Sequence, residues 1–495
     1  MIEPNTNPHE LAKALSGLHL IDGALVPAVS GETFAVLNPA TGRDMGHAAA
    51  GDTRDVDLAV AAAKNAQTAW AKRPARERGK LIAECGRLLE KHVEELGRLV
   101  ALESGKALRT ESRVEASILA DTFVYFGGLA SELKGETIPY NTHSMTMTIR
   151  EPVGVVGAII PWNVPMYLMA LKIAPALVAG NSVVVKSAEE APLCCLRVCE
   201  ILNQILPAGL FNILSGDGPV CGGPLAAHKD VKKISFTGSV ETGRIIHRAA
   251  AEKLVPVTLE LGGKSPMIVM GDADLDRAIA GAVTGVRFTR QGQSCTAASR
   301  ILVHRSLHDT FVEKLAAQVD TMVMGDPLDE ATDIGTIVSP AQYERVNTYV
   351  GKARSTETAT VRECSHLPKD EALADGLFVR PAIISGLNNH HAVCQDEIFG
   401  PVTCVIPFDD YDEAIAIAND TEYGLAATIW TRDLSTAMKA INELEAGFVQ
   451  VNQNVVVQPM LPYGGVKSSG IGKEASLDAM LEHFTHRKTI IINME

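Results

Sequence analysis

The sequence predicts an α/β protein with two parallel-sheet units and a separate β-prone tail. Short apolar runs alternate with segments of helical periodicity through both halves of the chain, the pattern of strand-helix-strand units that build parallel sheets. A Gly-Gly pair at Gly262 and Gly263 divides two such series. The 495 residues exceed what one core holds, because single cores stop growing at roughly 250 to 300 residues, so two or three domains are expected.

Taken in order, Asp55 to Leu108 carries Ala-rich and charged periodicity around Ala61–Trp70 and Leu81–Leu102, read as two surface helices. A strand is expected at Met145–Ile149. Apolar strands follow at Val153–Ile160, Ser182–Val185 and Lys233–Phe236, separated by helices at Met166–Val178 and Ala191–Leu206. The second series places strands at Met267–Met270, Ile301–His304, Val402–Phe408, Ala426–Thr431 and Phe448–Asn452. Ser355–Asp375 is the polar stretch most like a loop. Lys488–Asn493 is β-prone and has no evident partner unless it adds to another sheet, which points to a subunit contact. No internal repeat or low-complexity segment is visible.

Composition narrows the function classes. With 46% hydrophobic and 21% charged residues and 41 glycines, the chain is an ordinary folded globule. A formal net charge of -14 repels polyphosphate backbones and anionic lipid surfaces, disfavouring nucleic acid and membrane partners. Met1–Leu20 interleaves Glu3, His9, Glu10 and Lys13 with small residues and offers no signal-peptide core. Val153–Trp162, the most apolar stretch, is about half the length of a membrane span and is broken by Gly154, Gly157 and Pro161. The nine cysteines are an odd number without a C-x-x-C pair, which fits reduced thiols in the cytoplasm. Cys194, Cys195 and Cys199 share a helical pattern with Leu193, Leu196 and Val198 and are read as small hydrophobes on a buried face; their spacing matches no common zinc pattern. No metal is expected.

Five segments carry possible chemistry. In Gln291-Gly292-Gln293-Ser294-Cys295-Thr296 one cysteine lies between a Gly/Gln/Ser turn and small residues that lead into a strand. A thiolate there would attack a carbonyl carbon, helped if backbone N–H groups or a helix end lowered its pKa, although a lone cysteine is more often a buried hydrophobe. In Leu259-Glu260-Leu261-Gly262-Gly263-Lys264 a carboxylate ends an apolar strand, where partial burial would tune it as a general base; the plain alternative is a loop carboxylate at a domain boundary. The Gly263-Lys264-Ser265 run is no P-loop, since Thr258 stands where its leading glycine belongs and Pro266 blocks its helix. In Pro161-Trp162-Asn163-Val164-Pro165 an amide is held in a rigid turn. Aimed at a developing oxyanion, one such donor is worth roughly 2.7 to 4 kcal/mol, though asparagine is common in turns. Lys186-Ser187-Ala188-Glu189 and Thr237-Gly238-Ser239 each follow a strand at its carboxyl end, where open α/β sheets bind nucleotides. Neither turn is a G-x-G-x-x-G, and Gly216-Asp217-Gly218 lacks the third glycine.

Together and in this order, these segments resemble the aldehyde dehydrogenase superfamily from about Asp22 to Met494. Glu397-Ile398-Phe399-Gly400-Pro401, Gly464-Gly465 and Gly470-Ile471-Gly472-Lys473-Glu474 extend the match. The resemblance implies a Rossmann-like NAD-binding domain over residues 1–128 and 151–261, and a second α/β catalytic domain over 262–475. Residues 129–150 and 476–495 would form a small β oligomerisation element, the chain assembling as a homodimer or homotetramer. It implies Cys295 as nucleophile, Asn163 with the Cys295 backbone N–H as oxyanion hole, and Glu260 as the base that activates the deacylating water. Lys172 and Glu474 match positions linked to proton transfer near that base. An aldehyde would be oxidised to its acid through a thiohemiacetal and a thioester on Cys295.

For the cofactor, the resemblance sets Lys186 and Glu189 at the adenosine ribose, Trp162 and the Gly238-Ser239 turn by the pyrophosphate, and Glu397 with Phe399 at the nicotinamide ribose. A Glu189 carboxylate accepts from ribose hydroxyls and repels a 2'-phosphate, which favours NAD over NADP. Ser187 stands where the family often has proline, and Thr296 follows the cysteine; neither removes a reacting group. A CoA-acylating relative would typically lack Glu260, a non-catalytic relative would not need all the reacting residues, and a cysteine peptidase would need a histidine that none of the motif segments supplies. Val164, Tyr167, Leu168, Leu171, Phe288, Val457 and Tyr463 are the substrate-lining candidates by resemblance, and their bias points to an apolar aliphatic or aromatic aldehyde.

Overall fold

The computed structural model describes residues 7–454 and 458–495. Five parallel strands form the centre of the first sheet, in the spatial order Phe211–Leu214, Ser182–Lys186, Val155–Ile159, Val231–Thr237, Val257–Glu260. The strands Val155–Ile159 and Ser182–Lys186 are buried at every residue, as continuous apolar runs covered on both faces must be. The chain starts at the middle strand, builds outward through Phe211–Leu214, then returns to the other side at Val231–Thr237. The strand order therefore reverses between Val155–Ile159 and Val231–Thr237, and the crevice at such a reversal is where open sheets take their ligands. Pro161–Asn163 and Gly238–Ser239 leave the carboxyl ends of those two strands. The hairpin Leu18–Ile21/Ala24–Pro27 and the short strand Gly470–Ile471 close the two edges antiparallel.

The second sheet has seven strands, Thr360–Glu363, Ala382–Ser385, Val402–Phe408, Arg300–His304, Pro266–Val269, Ala426–Trp430 and Phe448–Val451, all parallel except the first. A third sheet pairs Thr485–Asn493 with Ser144–Pro152 over nine antiparallel residue pairs and adds Thr137–Ile138 beyond.

Several expectations change. The region after Asp55 holds three helices, Thr53–Lys72, Ala75–Glu90 and Val93–Ser104, because Pro74 and the Lys91-His92 turn interrupt the periodicity. The first two keep a solvent face, Thr53–Lys72 being anchored by buried Trp70, which donates from Nε1 to the Leu177 carbonyl at 2.8 Å, whereas Val93–Ser104 is an interior helix with nine of its twelve residues buried. The tail strand finds its partner within the chain, at Ser144–Pro152. Ser355–Asp375 is not all loop, since Thr360–Glu363 joins the edge of the second sheet. Cys194, Cys195 and Cys199 are buried on the helix Pro192–Leu202, as expected, and all nine cysteines are free. Among the described residues no helix is long and apolar enough to cross a membrane, and no cluster of His, Cys, Asp or Glu is arranged to hold a metal.

Candidate active site

Cys295 reaches its place through a strained turn. The helix Leu275–Val286 ends at Arg287 in the left-handed region (φ 62°), and Gln291 (φ 54°) and Gly292 (φ 64°) repeat that conformation before the cysteine. Only glycine fits at Gly292, where a Cβ would stand 1.9 Å from the Gly400 carbonyl oxygen. A Cβ on Gly263 would likewise meet the Cys295 carbonyl oxygen at 2.4 Å, so the Gly-Gly turn after Glu260 packs directly against the cysteine loop. Gln293 pins the loop by accepting from the Val338 N–H at 3.0 Å.

The sulfur opens on a cavity of about 460 Å³ whose wall also includes Asn163, Ser294 and Tyr463. Tyr463 Oη lies 3.2 Å from Cys295 Sγ. The lowering of the thiol pKa that would help its attack is not present: burial pushes the thiol up to about 11, with the Tyr463 hydroxyl and Arg290 working in the other direction. No helix amino terminus supports it, because the preceding helix ends, rather than begins, at this loop. The resting sulfur is therefore a thiol near neutral pH.

Asn163 donates from Nδ2 to the Gln293 carbonyl at 3.1 Å, which fixes its amide against the segment that carries Cys295. Behind it, Lys106 donates to the Asn163 carbonyl at 2.9 Å and pairs with buried Glu115, and Glu115 accepts from the Met166 N–H at 2.9 Å at the start of the helix Pro165–Ala179. The turn is thus held by a buried ion pair seated on a helix amino terminus.

Glu260 ends the strand Val257–Glu260, opposite Gly470. Both its carboxylate oxygens are buried without a hydrogen-bond partner, and burial, reinforced by the negative charge of Glu474, holds its carboxyl well above the ordinary range. Beside it, Lys172 is fully buried and donates to Glu474 at 2.7 Å and to the Thr237 hydroxyl at 2.8 Å. Ser235 donates to the same Glu474 oxygen at 3.0 Å. Glu474 and Tyr463 exchange backbone hydrogen bonds of 2.7 and 3.1 Å, so the Lys172–Glu474 pair and the tyrosine at the sulfur are mounted on one bridge. A Cβ on the next residue, Gly464, would lie 2.6 Å from Glu260 Oε1.

The remaining predicted residues gather at the carboxyl edge of the first sheet. Lys186 ends its strand and pairs with Glu189 at 2.9 Å. Beyond them the Gly218–Gly222 turn leaves open space: a Cβ on Gly218 would find Glu189 Oε1 only at 3.9 Å, and one on Gly222 would find Lys186 Cδ only at 3.9 Å. Ser239 caps the helix Val240–Lys253 by accepting from the Thr242 N–H at 3.2 Å, and Gly238 donates to the Glu260 carbonyl at 3.1 Å. Trp162 and Phe399 meet edge to face with centroids 5.2 Å apart. Glu397 accepts from the Gly263 N–H at 2.9 Å, and burial raises its carboxyl to about 7. A lysine–glutamate pair beside an open glycine turn, a capped helix amino terminus and an aromatic corner are groups that could hold a dinucleotide.

The profile of the Aldehyde dehydrogenase family matches residues 25–490. This chain belongs to the aldehyde dehydrogenase family. It is 41% identical over 476 residues to aldehyde dehydrogenase family 2 member B4, mitochondrial, of Arabidopsis thaliana, which covers 95% of this chain and 87% of the relative. It is 41% identical over 478 residues to aminoacetaldehyde dehydrogenase of Pseudomonas aeruginosa, covering 96% of this chain and 95% of the relative. The structure of betaine aldehyde dehydrogenase from Staphylococcus aureus in complex with NAD+ superposes with a TM-score of 0.94 at 35% identity, covering 98% of this chain and 96% of that one. The chain is an NAD-dependent aldehyde dehydrogenase that oxidises aldehydes to carboxylic acids.

Of the substrate-lining candidates in this aldehyde dehydrogenase, Val164, Tyr167, Leu168, Leu171 and Tyr463 do face the cavity. Phe288 does not: it is fully buried in the core between the second sheet and its helices. Val457 lies outside the described residues. The expectation of an apolar lining missed the charged groups Arg109, Glu111, Arg287 and Arg290. Arg287 and Arg290 stand within eight residues of Cys295, close enough in sequence to have been weighed. The Lys106–Glu115 pair behind Asn163 left no such signal, since those residues lie far from every motif.

Proposed function

We propose that Cys295 is the nucleophile of this oxidation, Asn163 its oxyanion donor and Glu260 the base that hydrolyses the thioester. The observation that carries the reading is the meeting of the Cys295 sulfur and the anchored Asn163 amide on one cavity large enough for a small aldehyde. Cys295 gives its proton to water in the cavity, the thiolate attacks the carbonyl carbon, and the developing oxyanion is met by the Asn163 amide and the Cys295 N–H. NAD supplies the hydride acceptor. Loss of hydride from the thiohemiacetal carbon leaves a thioester on Cys295. Glu260 then takes a proton from water as the oxygen attacks the acyl carbon, the C–S bond breaks, and the acid leaves with the Cys295 thiolate restored. Lys172 and Glu474 set the charge around Glu260: the ammonium favours its ionised form and the carboxylate opposes it.

In the same reading Lys186 and Glu189 hold the adenosine ribose, and Trp162, Gly238 and Ser239 receive the pyrophosphate. Glu397 and Phe399 hold the nicotinamide ribose. Glu189 disfavours a 2'-phosphate and hence NADP. The domains are assigned as 1–128 with 151–261 for NAD, 262–475 for catalysis, and 129–150 with 476–495 for assembly into a homodimer or homotetramer. The free cysteines fit a cytoplasmic enzyme.

Cys295→Ala, tested by NADH formation with aldehyde and by NAD titration, is expected to lose turnover and keep NAD binding. Turnover that survives the substitution contradicts the mechanism. Glu260 favours water over CoA as acyl acceptor, so NADH and acid should form without CoA; product that requires CoA would favour the acylating alternative.

A further inference from the structure

Charge in the substrate cavity is unevenly spent. Glu111 accepts from Arg290 Nε at 2.8 Å and also from the Thr289 hydroxyl. Glu115 is paired with Lys106 and with the Met166 N–H. Arg109 donates to the Glu330 carbonyl at 2.7 Å and pairs with Asp333. Arg287 is the exception: the residue is 6% exposed, lines the same cavity as Cys295, and its side chain has no hydrogen-bond or ion-pair partner among the described residues, with Nε fully buried and unmet. The one carboxylate that acts on it electrostatically, Glu111, already has both oxygens engaged.

A buried guanidinium without a counter-anion is a costly arrangement, and it becomes favourable when an anion completes it. Guanidinium presents a planar fork that matches a carboxylate. Much of the remaining lining, Val114, Ile118, Val164, Leu168, Leu171 and Val283, is apolar.

We infer that this enzyme prefers aldehydes that carry a carboxylate away from the aldehyde carbon, with Arg287 as the residue that receives it and the apolar wall taking the body between the two ends. The inference rests on the aldehyde-oxidising reading above and adds the substrate class. A cationic aldehyde would meet uncompensated positive charge at Arg287, and a neutral one would leave the guanidinium unpaired.

The test compares kcat/KM, by NADH formation with NAD, for matched aldehydes that differ in one group: 4-carboxybenzaldehyde, benzaldehyde and 4-(trimethylammonio)benzaldehyde, and succinic semialdehyde, butanal and 4-(trimethylammonio)butanal. Carboxylate first, neutral next and cation last is expected in at least one series. In Arg287→Gln the ratio of carboxylated to neutral substrate should fall about 10- to 100-fold, mainly through KM. Arg287→Lys should restore part of that ratio, which a merely structural role would not do. A sulfonated benzaldehyde that matched the carboxylated one would contradict the fork and leave only a charge preference. Neutral substrates turned over as well as or better than carboxylated ones, or an unchanged ratio in Arg287→Gln, would overturn the inference and leave the oxidation standing. Absence of turnover with every aldehyde would overturn both.

Discussion

At the scale of single residues, the site works by placing groups where water is scarce. Asn163 is the simplest case: its amide is fixed by Gln293 and its carbonyl by Lys106, so in the proposed role it would meet an oxyanion without reorganising. Asn163→Ala should lower kcat by about 10²- to 10³-fold, the loss of one such donor, and a change below about threefold would remove it from the oxyanion hole. Glu260 is held well above its ordinary value of 4.5 by burial and by Glu474. The folded state therefore favours its protonated form; that contribution to stability is fully present below the unfolded value and is lost as pH rises through the folded one. Thermal melts should show Glu260→Gln flattening the decline in stability toward alkaline pH, and deacylation in the unaltered enzyme should quicken over the same range. A melting profile parallel to that of the unaltered enzyme would contradict the burial account. Motif residues such as Cys295, Glu260 and Asn163 were legible because chemistry restricts their type. The raised thiol and the unpaired Arg287 were not, because desolvation and pairing depend on groups far apart in sequence.

At the scale of elements, the turn between the helix Leu275–Val286 and Cys295 concentrates backbone strain. Three left-handed positions within six residues, Arg287, Gln291 and Gly292, persist because Gly400, Val338 and Gly263 pack or bond around the loop. Gly292→Ala should destabilise the fold by roughly 1–3 kcal/mol and depress activity beyond that loss, since the cysteine cannot keep its position. Normal melting and full activity would mean the loop has more room than the 1.9 Å contact allows. Apolar strands with helical segments between them were readable from periodicity alone, which recovered most of the parallel strands of both sheets but neither Phe211–Leu214 nor Ala382–Ser385. Phe211–Leu214 was missed because a four-residue run interrupted by Asn212, just after Pro207 and Gly209, looks like the end of a helix and its turn. The three helices after Asp55 were read as two because the Lys91-His92 turn is only two residues long and carries no proline or glycine to mark it. Pairing of Thr485–Asn493 with Ser144–Pro152 joins residues more than 330 positions apart, which no local pattern shows.

At the scale of the whole molecule, the edge strand Thr485–Asn493 presents Ile491 at 63% and Ile492 at 46% exposure. A long apolar edge invites pairing with another chain, the physical basis for assigning assembly to this element. Glutamates at both isoleucines should reduce the mass measured by light scattering to that of a smaller species, and an unchanged mass would move the interface elsewhere. The catalytic cycle also spans the molecule, since Cys295 comes from the segment leading into the second sheet and Glu260 from the first. Intact-mass spectrometry of Glu260→Gln, mixed with NAD and aldehyde while NADH is followed, tests that cooperation most directly. The account predicts a burst of about one NADH per site and an acyl adduct on Cys295 that decays slowly; steady turnover with no adduct would contradict it.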